Sequence, residues 1–285
     1  MKRQSYRLKQ NGNEGLGRAK KRFGQHFLKD DKIAERIVNS LKGNTDFVIE
    51  VGPGRGVLTE LLLQKFGERF HAVEVDRDLY QYMSQQFPSM GSRLHNEDFL
   101  HMDLNGLTPA PSPLERGDQG ASHLLGRRTG GISIIGNFPY NISTQIIFKI
   151  LDHREQVKEM VGMFQKEVAR RIVADKGSKD YGIISVLLPC WYERKYLFEL
   201  TPDEFIPPPK VHSAVVRLKR NNAISIDCDE ALFKKVVKAA FNQRRKMLRN
   251  SLSGLLDPKI LKERVFEKRP EHLGVDEFVQ IVKMM

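Results

Sequence analysis

Between residues 47 and 174 the chain repeats one pattern: a short apolar run, a turn of glycines, acids or amides, then a segment with helical spacing. The runs at 47–51, 70–75, 93–96, 132–136 and 160–164 predict strands. Segments at 58–64, 78–87 and 166–174, with one carrying Ile146, Ile147, Ile150 and Leu151, predict helices. This alternation predicts an α/β fold on a parallel, doubly wound sheet, with ligands bound beyond the carboxyl ends of the strands. Ahead of it, Asp30 or Asp31 can cap a helix with Ile33, Ala34, Ile37, Val38 and Leu41 on one face. Further on, segments at 193–200 and 213–219 flank Pro207-Pro208-Pro209-Lys210 and suit a hairpin-like pair finishing the sheet. From about 221 the chain reads as helices at 229–251, 258–266 and 275–284, a small C-terminal helical domain (221–285) after a main domain at 21–220. Two stretches lack periodicity: a basic arm at 1–20, and 105–131, rich in Gly, Pro and Ser, which reads as a disordered insertion.

The turns at the strand ends carry the chemistry. After the first run comes Glu50-Val51-Gly52-Pro53-Gly54-Arg55-Gly56. Glycines let the backbone turn sharply and let a ligand come close to it. A dinucleotide fingerprint would need glycine at 57, where Val57 stands, and Pro53 removes a backbone donor. The loop therefore suits an uncharged nucleoside edge better than a pyrophosphate, with a bare glycine-rich turn as the alternative. Glu74, 20 residues beyond Gly54, stands where a carboxylate can accept both hydroxyls of a ribose. Asp98 can accept from an adenine amine, with Phe99 beside the ring. Either acid alone would read as a solvated loop residue. Three successive strand ends with fitting groups read as a nucleoside site.

Asn137-Phe138-Pro139-Tyr140 follows the fourth run. An adenine amine is a poor nucleophile because its lone pair is delocalised into the ring. Two acceptors aimed at its hydrogens hold that lone pair toward an incoming methyl group. The Asn137 side-chain oxygen and the Phe138 carbonyl, held outward by Pro139, are the candidate acceptors, and Tyr140 offers a stacking face. Positioning and electrostatics then carry the catalysis, since the amine becomes acidic as it is methylated and needs no strong base. An asparagine-capped turn is the alternative.

Charge points to a partner. Lys and Arg number 47 against 35 Asp and Glu, a net charge of +12. Residues 1–22 hold eight basic residues and one acid, and residues 231–250 hold seven basic residues and no acid. Such clusters suit a phosphate backbone, with Arg244, Arg245, Lys246 and Arg249 as candidate RNA contacts on a basic helix; a solvated helix face is the alternative. No apolar run approaches the ~18 residues of a membrane span. The first 24 residues have no apolar core, so a signal peptide is not expected. Cys190 and Cys228 form no C-x-x-C pair, predict neither a disulfide framework nor a zinc site, and fit a reducing cytoplasm. Nothing calls for a metal, and a monomer is expected because no apolar stripe is left over.

Taken together, these motifs resemble a known family. E-x-G-x-G-x-G after the first run and Asn-Phe-Pro-Tyr after the fourth look like class I S-adenosylmethionine-dependent adenine-N6 methyltransferases, and more closely like the ribosomal RNA adenine dimethylases. The likeness starts near Lys21 and passes through Phe23-Gly24-Gln25-His26-Phe27-Leu28 and Asn137-Phe138-Pro139-Tyr140-Asn141-Ile142-Ser143. It continues through Phe205-Ile206-Pro207-Pro208-Pro209-Lys210-Val211 and Phe241-Asn242-Gln243-Arg244-Arg245-Lys246. Within the family the chain is most similar to the bacterial enzymes that dimethylate N6 of two adjacent adenosines in the 3′-terminal hairpin loop of 16S ribosomal RNA, in the small ribosomal subunit. The resemblance implies a Rossmann-like fold, a cytoplasmic enzyme and a role in subunit maturation. It implies that Gly52, Glu74, Asp98 and Asn137, joined by His26 and Leu28, contact S-adenosylmethionine. It also implies that Asn137 and Tyr140 serve the target adenine, with Phe205 stacking on its other face. His26 stands where some members carry Asn, and the 105–131 insertion exceeds the family's shorter connection. Three alternatives stand beside this reading. A 23S ribosomal RNA adenine methylase is disfavoured by the Pro-Pro-Pro-Lys and Phe-Asn-Gln-Arg-Arg-Lys segments. A DNA adenine methylase is disfavoured by Phe138, where those enzymes carry Pro. A ribosome-assembly factor that mainly binds is disfavoured by the intact 137–140 motif.

Overall fold

A computed structural model describes residues 25–43, 45–104, 131–222 and 226–285. The expected arm at 1–20 and nearly all of the expected insertion at 105–131 lie outside these residues. A two-residue strand, β1 (Phe27–Leu28), opens the described chain. The strands that follow are β2 (Phe47–Val51), β3 (Phe70–Val73), β4 (Leu94–His95), β5 (Ile132–Asn137) and β6 (Val157–Gln165). These five pair in parallel in the order β4-β3-β2-β5-β6. The later strands β7 (Tyr192–Leu200), β8 (Phe205–Ile206) and β9 (Ser213–Arg220) divide between two sheets. The expected antiparallel pair closes the large sheet, with β9 lying between β6 and β7. β8 pairs instead with β1, Leu28 opposite Phe205.

Helices α1 (Asp31–Ser40), α2 (Val57–Phe66) and α3 (Arg77–Gln86) pack on one face of the sheet, burying Ala34, Ile37, Leu58, Leu62 and Met83. Helix α4 (Ser143–Asp152) buries Ile146, Ile147, Ile150 and Leu151 against the other, and α5 (Lys166–Val173) and α6 (Ile183–Leu187) follow it. Aspartates start two of these helices: Asp30 accepts from the Lys32 amide (2.7 Å) and Asp76 from the Asp78 amide (3.1 Å), each satisfying a donor that the helix leaves open. Because β2 has β3 on one side and β5 on the other, the winding reverses there. A crevice opens beyond their carboxyl ends, where α/β sheets bind ligands.

The C-terminal region departs from expectation in two ways. The expected single helix at 229–251 is broken into α7 (Glu230–Asn242) and α8 (Leu248–Ser251). Tertiary contacts turn the chain between them: Arg244 donates to the carbonyls of Ser178 and Lys179, Leu248 is buried, and its amide donates to Lys268 O at 2.9 Å. The expected helix at 258–266 is a pair of 3-10 turns. The last helix, α9 (Val275–Lys283), forms as expected. Phe233, Phe266, Phe278 and Ile281 from this region share one contiguous apolar cluster with the sheet and α4.

Candidate active site

The loop after β2 turns through left-handed conformations at Gly52, Gly54 and Gly56. At Gly54 a Cβ would stand 3.0 Å from the Phe27 ring, so only glycine lets β1 lie this close over the loop. Glu74, just past β3, is buried beneath it. One carboxylate oxygen accepts from the Gly54 amide (3.2 Å) and the other from the Asp76 amide (2.9 Å). Burial raises its pKa, while those amide donors pull it down. Its backbone is clamped from β4, the Asn96 amide donating to Glu74 O at 2.8 Å. Asp98 accepts from the Leu100 amide (2.9 Å), and His101 lies 3.3 Å from its other oxygen.

β5 ends at Asn137. Phe138 after it is fully buried because Gly136 and Gly162 leave room for its ring, which meets Phe164 edge to face. With the ring anchored inward, the motif's main chain is fixed at the crevice. Asn137 Nδ2 donates to His26 O (2.6 Å), which leaves Oδ1 as the free acceptor of the amide. The Tyr140 hydroxyl lies 2.6 Å from Ser213 Oγ, and its ring stacks on His26 at 5.4 Å between centroids. Burial raises the Tyr140 pKa. His26 Nδ1 lies 2.7 Å from Pro207 O.

One cavity of about 310 Å³ gathers His26, Leu28, Gly52, Glu74, Asp98, Asn137, Pro139 and Tyr140 along its wall. These expected residues come from four strand ends and the N-terminal strap, and they meet at the switch point. Two groups do not join them. Phe205 is fully buried on β8, packed in the core with Leu28 and Val215, so it has no open face for a base. None of Arg244, Arg245, Lys246 and Arg249 lines the cavity. They lie on the turn between α7 and α8 and on α8, not on a basic helix. Arg244 is spent on backbone carbonyls, and Arg249 lies 3.7 Å from Glu267.

Glu50, Gln25 and Arg55 are among the cavity residues that had no role assigned from the sequence. Glu50 is wholly buried, accepts from Thr59 Oγ1 (2.6 Å), and is raised to about pKa 8, first by burial and then by Glu74. Gln25 donates to Asp76 (3.0 Å), tying the strap to the α3 cap. Arg55 lies over the Phe27 ring. Glu50 and Arg55 stand in the glycine motif, where a charge in an otherwise apolar and glycine-rich loop was the available signal.

A family model described as ribosomal RNA adenine dimethylase matches residues 17–284. A ribosomal RNA small subunit methyltransferase A of Parabacteroides distasonis is 46% identical over 269 residues, 93% of each chain. One of Cytophaga hutchinsonii is 45% identical over 94% of this chain and 97% of its own. Among solved structures, a dimethyladenosine transferase from Plasmodium falciparum superposes with a TM-score of 0.68 at 22% identity, covering 90% of this chain and 96% of the other. The 23S rRNA methyltransferase ErmE gives 0.60 at 22% identity, covering 90% and 99%. At these identities the two structures speak for the fold alone.

Proposed function

This chain belongs to the ribosomal RNA adenine dimethylase family, and on that premise we propose that it transfers methyl groups from S-adenosylmethionine to N6 of adenine in the 16S RNA of the small ribosomal subunit. The finer target we infer is the pair of adjacent adenosines in the 3′-terminal hairpin loop, modified by a cytoplasmic monomer during subunit maturation. The observation that carries the reading is the convergence of Gly52, Glu74, Asp98, Asn137 and Tyr140 on one cavity at the switch point.

The residues present fit the cofactor. The cavity is at the lower end of the size range of small-molecule sites, and its walls offer acceptors for hydroxyl and amine groups. When bound, S-adenosylmethionine supplies a methyl group on a sulfonium. Glu74, braced by two amides, would receive its ribose hydroxyls, Asp98 with the neighbouring Phe99 would receive its adenine, and Leu28 and the His26 segment would cover it. Asn137 Oδ1 and the Phe138 carbonyl accept from the target amine and hold its lone pair toward the methyl group. Tyr140, pinned through Ser213, supports the extruded base. The protein thus contributes orientation and fixed dipoles, and the methylated amine loses its proton without a strong base.

Single-turnover methylation of purified small subunits tests this. Asn137→Ala is expected to lower the rate by about 10²–10³ while subunit affinity holds, the cost of losing one oriented group at a reacting centre. Near wild-type turnover would remove Asn137 from the chemistry. Methylation of large subunits in preference to small ones would overturn the target.

A further inference from the structure

The acids and bases of the cavity wall, its histidine and tyrosine aside, are carboxylates with one exception. Glu50, Glu74, Glu97 and Asp98 line it, and Arg55 is the one lysine or arginine among the described lining residues. The Arg55 guanidinium carbon lies 4.8 Å from the centroid of Phe27. Its Nε is buried and has no hydrogen-bond partner, and none of its nitrogens bonds or ion-pairs with a described residue. A buried guanidinium nitrogen left unpaired is costly, and such an atom in a working site marks where a ligand's acceptor comes. Stacking on an aromatic ring fixes the guanidinium plane and leaves its edge donors free for a planar anion.

S-adenosylmethionine carries a sulfonium, an ammonium and one anion, its α-carboxylate. Among the described lining residues Arg55 is the one guanidinium or ammonium, and so the one side chain with a fixed positive charge to set against that anion. We infer that Arg55 is the receptor of the cofactor's α-carboxylate, held by Phe27 so that it donates to that group. An RNA phosphate is the other anion within the protein's chemistry. Arg55 is half-buried and lines the cavity, its Nε is buried, and β1 lies close over the neighbouring Gly54, which favours a ligand in the cavity over a backbone passing across the surface. The assignment is specific to the side chain at 55, because the glycine loop needs only glycines on either side of it.

This inference rests on the cavity being the cofactor site, and the test separates the two. Calorimetry compares S-adenosylmethionine with its decarboxylated analogue on wild type, Arg55→Met and Arg55→Lys. Wild type is expected to favour the carboxylate-bearing ligand by roughly 10- to 100-fold, the range for hydrogen bonds to charged groups. Arg55→Met should bind the two alike, with affinity for the analogue unchanged, and Arg55→Lys should keep part of the preference. If Arg55→Met weakens both ligands equally, the side chain only props the loop and the inference fails. It fails equally if the preference survives in Arg55→Met, including the case where small-subunit binding weakens and Arg55 serves a phosphate. Glu74→Ala is the control: if cofactor affinity is unchanged there, the cavity assignment itself is wrong. If it falls while Arg55→Met keeps the preference, only the role of Arg55 is lost.

Discussion

Glu50 holds a proton that an ordinary carboxylate would release. In the unfolded chain it titrates at the ordinary glutamate value of 4.5; in the fold, burial lifts it to about 8. The folded state therefore binds more protons than the unfolded state between those values, and stability from this group falls as pH rises from 4.5 through 8. Glu50→Gln, which keeps the shape without the titration, should gain thermal stability relative to wild type as pH is raised from 5 to 8. A difference in melting temperature that stays flat across that range would remove Glu50 as the cause. The placement of single residues was legible where it is set locally: Gly52, Glu74, Asp98 and Asn137 follow or end strands, and strand ends can be read from the run before them. Phe205 was not legible in this way. Its exposure depends on pairing with Leu28, more than 170 residues earlier, and nothing in its own neighbourhood reports that partner.

β3 and β4 present a second titration. His71 and His95 stack across these strands with Nδ1 and Nε2 3.1 Å apart. Burial, followed by His95 and then Arg93, lowers His71 from 6.5 to about 4, so it is neutral in the fold. The unfolded chain takes up a proton here before the native one does. The contribution is complete above 6.5 and is lost as pH falls toward 4. His71→Leu should accordingly flatten the decline of thermal stability between pH 7 and 4.5; parallel declines in the two proteins would clear His71 of the effect. Glu74 and Asn96 directly follow these strands, so acid should also loosen the cavity wall they form. Elements such as β2, β5 and β6 were visible in the sequence because a strand covered on both faces reads as an unbroken apolar run. β1 and β8 were invisible because two residues carry no period. The break between α7 and α8 was invisible because Arg244 and Leu248 turn the chain through contacts made outside the segment.

At the scale of the molecule, the +12 charge is unevenly available. Arg245 and Lys246 are exposed on the turn after α7, whereas Arg244 is held by backbone carbonyls. Changing Arg245 and Lys246 to Gln should reduce the salt slope of small-subunit binding by about two, one per phosphate contact, with cofactor affinity intact. Arg244→Gln should instead lower thermal stability and leave that slope alone. An unchanged slope in the double variant would mean that RNA is held elsewhere, with the basic residues at 1–22 as the next site to test. The antiparallel pairing of β1 with β8 gives the molecule a history as well as a shape. The roof of the cavity is built from residues 25–28, but it is latched by Phe205, Ile206 and Pro207. A chain emerging in order of synthesis completes its glycine loop and its acids early, and Asp76 and Asn137 can already hold Gln25 and His26, but the strand that pairs with the roof arrives only with those late residues. The roof is therefore paired late, when the sheet beneath the cavity is nearly whole, and if the cavity is the cofactor site its closing is one of the last steps of folding on the growing chain.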